Sequence, residues 1–140
     1  MNPLPTKAQL LNACRGVDYD THPILRAAHA LTGIHERHLT APHPGIPELK
    51  TQRAHLMTEI DRCAVRSLPP AHGAARIHTE TIGAVIDRMA RFTALAYAAL
   101  SGSPAPDLGN TWGHLAELAV AYEDLIDELH TGRRRLPGGA

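Results

Sequence analysis

The chain has 140 residues, about the length of one domain and too short for two ordinary ones. Its apolar fraction of 44% and charged fraction of 20% are those of an ordinary soluble globular protein. Fourteen basic and fourteen acidic residues give a formal net charge of zero, which argues against a protein that acts on nucleic acid or on an anionic membrane.

Clusters of loop-forming residues divide the chain into segments of helical length, and they lie at 16–21, 41–47, 68–73 and 101–107. Between them we predict one short helix and four longer ones, over about 5–14, 22–40, 47–67, 79–101 and 107–131. The alternation of β-branched residues that is typical of strands is missing from the sequence. We therefore predict an all-α fold.

The ends of these helices carry the expected residue types. Pro23 and Pro47 lie in first turns, where the missing N–H of proline costs nothing. Thr79 and Asp107 are the predicted N-caps, and Gly132 is the predicted stop of the last helix.

The last predicted helix has the clearest apolar period, with a seam of Leu108, Trp112, Leu115, Ala119, Tyr122, Ile126 and Leu129. The other three long helices are also amphipathic. Four such helices joined by short loops predict an antiparallel up-down four-helix bundle with a short N-terminal helix. Aromatic residues make up only 4% of the chain, so the core is thin. We therefore expect part of the apolar surface to close against a second copy.

We expect a single helical-bundle domain over 1–140, made of three parts. An N-terminal arm with the short helix spans 1–21, the bundle spans 22–132, and a basic, flexible C-terminal tail spans 133–140.

Three polar side chains interrupt the apolar stripes of the first two long helices. His35 and His38 lie on or beside the stripe of one helix, and Arg53 lies within the stripe of the next. One interpretation is that they converge on an anionic or metal ligand inside the bundle. The other is structural: a histidine bound to a backbone carbonyl and an arginine that reaches an acid at the edge. A buried, unpaired guanidinium would be prohibitive, so Arg53 needs a partner in either case.

Residues 78–88 have the most distinctive pattern of charged residues and glycine in the chain. The helical wheel places Glu80, Asp87 and Arg91 on one stripe opposite the core, with Arg88 beside them. We therefore predict a solvated face on which Asp87 and Arg91 form an ordinary i, i+4 pair. Gly83 lies inside this predicted helix, where glycine is unfavourable, so we expect a neighbouring helix or subunit to approach its backbone.

Few residues in the sequence support metal binding, cysteine chemistry or the common nucleotide-binding and hydrolase motifs. Four acids near the end of the last helix could hold Mg²⁺, but no second acidic helix clearly faces them, and we favour a solvated acidic face for Glu123, Asp124, Asp127 and Glu128. The cysteines Cys14 and Cys63 lie in no zinc or redox spacing. Phosphate-loop, dinucleotide, zinc-protease and nucleophile-elbow motifs are missing. We expect no metal and no cofactor.

No apolar run approaches the length of a membrane span, and the N-terminus lacks a basic region followed by an apolar one. We therefore expect a cytoplasmic protein with reduced cysteines. We do not expect nucleic-acid binding, because the only basic cluster that would support it consists of three residues, Arg133, Arg134 and Arg135.

Two segments, TQRAHLMTEID at 51–61 and HTETIGAVIDR at 78–88, resemble the paired signatures of an uncharacterised bacterial all-α domain family. The first signature reads QRxxLxxxID and the second ETxGxxIDR. The resemblance covers most of residues 22–137 and includes the basic tail at 134–137. It implies a small helical protein of unassigned activity, and it draws attention to Arg53, Glu80, Asp87 and Arg88.

The function that the sequence favours is that of a non-enzymatic helical module that associates with itself or with a protein partner. The alternative is a small-molecule or metal-dependent enzyme with a site between helices or at a subunit interface. The candidate ligand-binding residues are His35, His38, Arg53, Glu80, Asp87 and Arg88. The wheels count against one site that uses them all, because they place Arg53 toward the core and Glu80 and Asp87 away from it.

Overall fold

Five α-helices form the protein in a computed structural model, which describes residues 4–40, 46–100 and 108–137. The helices are α1 Lys7–Cys14, α2 Pro23–Thr40, α3 Ile46–Ser67, α4 Ile82–Leu100 and α5 Leu108–His130. Two short strands, β1 Arg76–Ile77 and β2 Arg134–Arg135, pair in parallel. Because each strand has only two residues and the rest of the described regular structure is helical, the prediction of an all-α fold is confirmed.

The first helix is fixed at its N-terminus by a capping box. The Thr6 hydroxyl accepts a hydrogen bond from the Gln9 backbone N–H at 3.1 Å, and the Gln9 side chain accepts one from the Thr6 N–H at 2.9 Å. Each bond satisfies a donor that the helix itself leaves unpaired.

The start of α4 differs from the prediction. The helix begins at Ile82, and the hydroxyl of Thr81 accepts a hydrogen bond from the Ala84 N–H at 3.1 Å. Thr81 therefore supplies the capping bond that we assigned to Thr79. The other predicted N-cap, Asp107, lies outside the described residues. Gly132, with φ of 75°, follows the end of α5 as predicted.

Helix α4 is the centre of the molecule, because it contacts each of the other four helices. Helices α2, α3 and α4 are in mutual contact, and α5 packs on α4 and α1. The side chains that these contacts bury completely include Leu10, Ile24, Leu31, Ile60, Ile82, Ile86, Met89 and Tyr122. Since α1 contributes Leu10 to this core, the N-terminal arm is part of the packed structure.

Gly83 lies at a close approach of α3 and α4. A Cβ atom on Gly83 would lie 2.5 Å from the backbone oxygen of Met57 and 2.9 Å from Oδ1 of Asp61. The Gly83 N–H donates to that same Asp61 oxygen at 2.7 Å. The approach of a neighbouring helix, which the sequence predicted at this glycine, is therefore confirmed.

The chain after α5 contacts the loop between α3 and α4. His72 N–H donates to the Gly132 carbonyl at 3.0 Å, and His78 N–H donates to the Arg135 carbonyl at 2.8 Å. These bonds flank the β1–β2 pair. Within the segment 133–140, which the sequence marks as a flexible tail, Arg134 and Arg135 thus have backbone partners. Residues 138–140 lie outside the described part of the chain.

Candidate functional site

Three polar side chains from three helices meet inside the protein. His35 comes from α2, Arg53 from α3 and Asp87 from α4, and we call them the polar cluster. His35 is 8% exposed and Asp87 2% exposed, whereas the Arg53 side chain is 38% exposed. Arg53 therefore links a buried carboxylate to the surface.

Both carboxylate oxygens of Asp87 are occupied. Oδ1 lies 2.8 Å from Nε2 of His35 and 3.0 Å from Nε of Arg53. Oδ2 accepts from Nε of Arg53 at 3.0 Å and from Nη2 at 2.7 Å. Such a two-oxygen contact with a guanidinium is among the stronger arrangements for a charged pair.

The partners keep Asp87 ionised. Burial alone would raise its pKa, but the hydrogen bonds from His35 and Arg53 and the positive charge of Arg53 outweigh burial, and the pKa lies below its ordinary value. Because the carboxylate is the acceptor, His35 donates through Nε2–H. The pKa of Arg53 is raised, chiefly by its hydrogen bonds to Asp87. Within the cluster, Arg53 and Asp87 therefore form an ion pair, and the hydrogen bond to Asp87 orients the His35 ring.

The position of Asp87 corrects the sequence interpretation. The wheel assigned it to a solvated face, paired with Arg91, whereas it is buried and paired with Arg53 and His35. The physical reason is that α4 contacts four helices and is buried on more than one side. A residue opposite the main apolar stripe of such a helix faces another helix instead of water.

The remaining candidates lie at the surface. His38 is exposed, and its ring centre is 6.4 Å from that of His35. Glu80 and Arg88 form an ion pair with each other. Of the six candidates, the structure therefore brings His35, Arg53 and Asp87 into direct contact and gives Glu80 and Arg88 a separate contact.

A second carboxylate, Asp61, lies at the same junction of α3 and α4. Burial raises its pKa, and this effect outweighs the opposing hydrogen bonds from the Gly83 N–H and the Thr81 hydroxyl. Asp61 thus binds the first turn of α4, whose N–H groups have no partner within the helix.

The described residues contain no group of three or more His, Cys, Asp or Glu side chains that could hold a metal ion. Three of the four acids near the end of α5 pair with basic residues: Glu123 with Lys7 at 3.6 Å, Asp127 with Arg133 at 3.4 Å and Glu128 with Arg134 at 2.9 Å.

Large apolar side chains are exposed around two neighbouring clefts, and we call them the apolar face: Val17, Leu39, Tyr97 and Trp112. A cleft of about 400 Å³ is lined by Tyr97 and Trp112 together with Leu11 and Leu115. A neighbouring cleft of about 610 Å³ shares Tyr97 and extends to Val17 and Leu39. The rings of Tyr97 and Trp112 meet edge to face, with centres 5.7 Å apart.

Sequence reasoning missed this face. Trp112 was assigned to the apolar seam of α5 and is 36% exposed. The available signal was Tyr97, a large aromatic residue for which the sequence interpretation gave no packing partner. Apolar residues beyond what one helix face can bury indicate a surface that binds something.

None of the described helices is both long and apolar enough to cross a membrane. Over residues 16–137 the chain matches the family described as "Protein of unknown function (DUF4254)", and it belongs to that family. Its resemblance to an uncharacterised domain family is thereby confirmed. No curated protein and no solved structure matches the chain.

Proposed function

We propose that this member of a family of unassigned function is a helical module that pairs with a second copy of itself through the apolar face. The observation that carries the proposal is the clustering of exposed Tyr97 and Trp112 beside a cleft lined mainly by apolar side chains. Aromatic residues at the centre of an exposed apolar patch are typical of protein interfaces.

The charges at this face favour a second copy as the occupant. Arg15 lines both clefts, and Glu36 lines the larger one. A two-fold interface places the same patch on both subunits, so that residue i meets j and j meets i. A patch that carries one arginine and one glutamate can therefore form two Arg15–Glu36 pairs across the axis. This arrangement closes as a dimer.

Two finer expectations accompany the proposal. We take α2–α5 as following the antiparallel order expected from the sequence, supported by the contacts of α4 with its chain neighbours α3 and α5, although among the described residues α5 packs on α4 and α1 and does not close the bundle against α2 or α3. We also place the protein in the cytoplasm, where the two cysteines, both free, would stay reduced.

The first experiment compares two lysine substitutions on α5. Trp112→Lys puts a charge in the apolar face, whereas Val120→Lys changes a residue that is 49% exposed and lines neither cleft. By sedimentation equilibrium we expect the wild type and Val120→Lys to dimerise and Trp112→Lys to be monomeric. A wild type that stays monomeric at high micromolar concentration would refute the proposal.

The second experiment tests the two-fold geometry by exchanging charges. Arg15→Glu and Glu36→Arg should each weaken the dimer, because each places like charges opposite one another. The double variant Arg15→Glu/Glu36→Arg should recover dimerisation. If the double variant is as weak as the singles, the two-fold arrangement of this face is wrong.

A second candidate function is a small-molecule site at the polar cluster, and one observation favours it. Nη1 of Arg53 makes no hydrogen bond to any described residue, and the side chain reaches the surface. It could bind an anion there while Asp87 holds the guanidinium in place. Titration of wild type and Arg53→Ala with inorganic phosphate tests this. Binding that is lost with the fold intact supports an anion site, whereas a loss of stability with no binding to lose contradicts it.

A further inference from the structure

A groove runs between α2 and α3, and none of the three polar-cluster residues lines it. It consists of two clefts of about 600 and 400 Å³ that share Ala30 and Leu56. On α2 it extends from Pro23 to Arg37, which corresponds to about 20 Å along a helix. We call it the basic groove, for the reason that follows.

Positive charges line the groove along its whole length: Arg26, Arg37, Arg62 and Arg66. Glu59 also lines it, and this acid is 3.0 Å from Nε2 of His55. Arg37, Arg62 and Arg66 form no ion pair with any residue in the described ranges, and Arg26 donates to the backbone carbonyl of Asp20. Since the chain as a whole has a net charge of zero, this concentration of cations is local to one surface.

The floor of the groove is apolar and made partly of small residues. Ala27, Ala30 and Gly33 lie on the α2 side, and Leu56 and Cys63 on the α3 side. A Cβ atom added to Gly33 would have no neighbour within 4 Å, so the space above this part of α2 is open. Small residues on a helix surface allow another helix to pack at close range.

We propose that the basic groove binds an amphipathic helix of a partner protein, with an apolar stripe flanked by glutamates or aspartates. The apolar stripe would pack on Ala30 and Leu56, and the acidic flanks would lie against Arg37 on one side and Arg62 and Arg66 on the other. The length of the groove accommodates about four turns of helix. This is the helix-in-groove mode of recognition, with the specificity given by charge.

The lining favours a protein helix over a nucleic-acid strand. A single strand is bound on aromatic side chains that stack with its bases, and the described lining of the groove includes no Phe, Tyr or Trp. Its aliphatic floor instead matches an aliphatic stripe. The proposal does not depend on self-association, because none of the described residues lines both this groove and the clefts of the apolar face.

The test uses a fluorescently labelled helical peptide of about four turns, with leucine and alanine along one face and glutamate on both flanks. Fluorescence anisotropy measures its binding to wild type, Arg66→Glu and Arg91→Glu. Arg91 is the matched control, since it is an exposed helical arginine outside the groove. We expect Arg66→Glu to weaken binding about tenfold or more and Arg91→Glu to leave it unchanged.

Three further probes decide between interpretations. A peptide of the same composition in scrambled order, a version with lysine for glutamate, and an oligothymidine strand should all bind at least tenfold more weakly. Equal binding of the scrambled peptide, or tighter binding of the oligonucleotide, would overturn the proposal. So would equal losses in Arg66→Glu and Arg91→Glu. Trp112→Lys should bind the acidic peptide as the wild type does, so this test succeeds or fails separately from dimerisation.

Discussion

Arg53 on α3 makes three hydrogen-bond contacts to the carboxylate of Asp87 on α4, at distances between 2.7 and 3.0 Å. His35 adds a fourth from α2. The polar cluster thus joins the three helices that are in mutual contact, at a point where the carboxylate is almost completely buried. Its members are not equivalent, since Arg53 can reach water and Asp87 cannot.

This asymmetry predicts that Arg53→Met is more destabilising than Asp87→Asn. Arg53→Met leaves a buried carboxylate with only His35 as its partner, whereas Asp87→Asn leaves an arginine that can turn toward solvent. We expect a loss of about 3 kcal/mol for Arg53→Met, near the lower end for removing one partner of a buried ion pair. Urea unfolding followed by circular dichroism measures both values.

A double-mutant cycle provides the control for this prediction. In Arg53→Met/Asp87→Asn no carboxylate remains to be left unpaired, so the double variant should be more stable than the sum of the single losses implies. We expect a coupling of about 1 to 3 kcal/mol. Strictly additive losses would mean that the two side chains act independently, which contradicts the geometry.

The pKa of Asp87 predicts how stability depends on pH. Because the folded-state pKa is lower than the unfolded one, the contribution of Asp87 is fully present above the unfolded pKa of about 4. It is lost as the pH falls through the folded-state value. The stability advantage of wild type over Asp87→Asn should therefore shrink between pH 6 and strongly acidic conditions, at roughly pH 2.

Unfolding curves of both proteins across this range measure the difference directly. Asp61, whose pKa is shifted in the opposite direction, is present in both and cancels. A difference that is constant with pH would show that the Asp87 side chain acts through packing and not through its charge.

The fold was largely predictable from the sequence because its helices are separated by clear loop signals. Glycine and proline restrict the backbone locally, so the helix bounds followed from composition and capping. Thr79 shows the limit of this reasoning: three threonine or acidic residues precede Ile82, and any of them could begin a helix. Which one does so depends on the hydrogen bond from Ala84 to Thr81.

The candidate site was harder to predict, because a helical wheel assumes one buried face. We correctly expected Arg53 to need a partner, but we had placed that partner, Asp87, on a solvent-exposed face. The sequence carried a signal for the second buried face of α4, since Gly83, Ala90 and Ala94 share a side with Asp87 at helical spacing. Small residues around an acid indicate close helix packing there. The thin core predicted that some apolar surface stays uncovered, but its position could not be predicted, because it depends on which stripe residues other helices leave exposed.

Replacing Gly83 by alanine should lower the stability of the protein, which is the opposite of the usual effect of this change inside a helix. Alanine is favoured over glycine inside a helix by about 1 kcal/mol, but a Cβ here would clash with the backbone of Met57. We expect Gly83→Ala to destabilise the protein by about 2 kcal/mol. Gly113→Ala in α5 is the matched control, because its Cβ would meet nothing within 4 Å. Thermal unfolding should show opposite shifts for the two variants, and a stabilised Gly83→Ala would contradict the close approach of α3 and α4.

Tyr122 predicts how firmly the N-terminal arm is held. Its buried hydroxyl donates to the Pro5 carbonyl at 2.7 Å, and the Leu4 N–H donates to Nε2 of His130 at 3.3 Å, so two hydrogen bonds join the arm to α5 in addition to the exposed Lys7–Glu123 ion pair. Tyr122→Phe keeps the ring and leaves the Pro5 carbonyl without its donor, which should cost about 1 to 2 kcal/mol.

Hydrogen exchange locates this effect. Amides of α1 should exchange faster in Tyr122→Phe than in wild type, because the loss of the tether lowers the free energy of opening the arm. Tyr19→Phe is the control: Tyr19 stacks on His29 at 3.8 Å and makes no side-chain hydrogen bond to any described residue, so its ring contact survives the change. Equal exchange of α1 in wild type and Tyr122→Phe would mean that the core contact of Leu10, and not the hydroxyl, holds the arm in place.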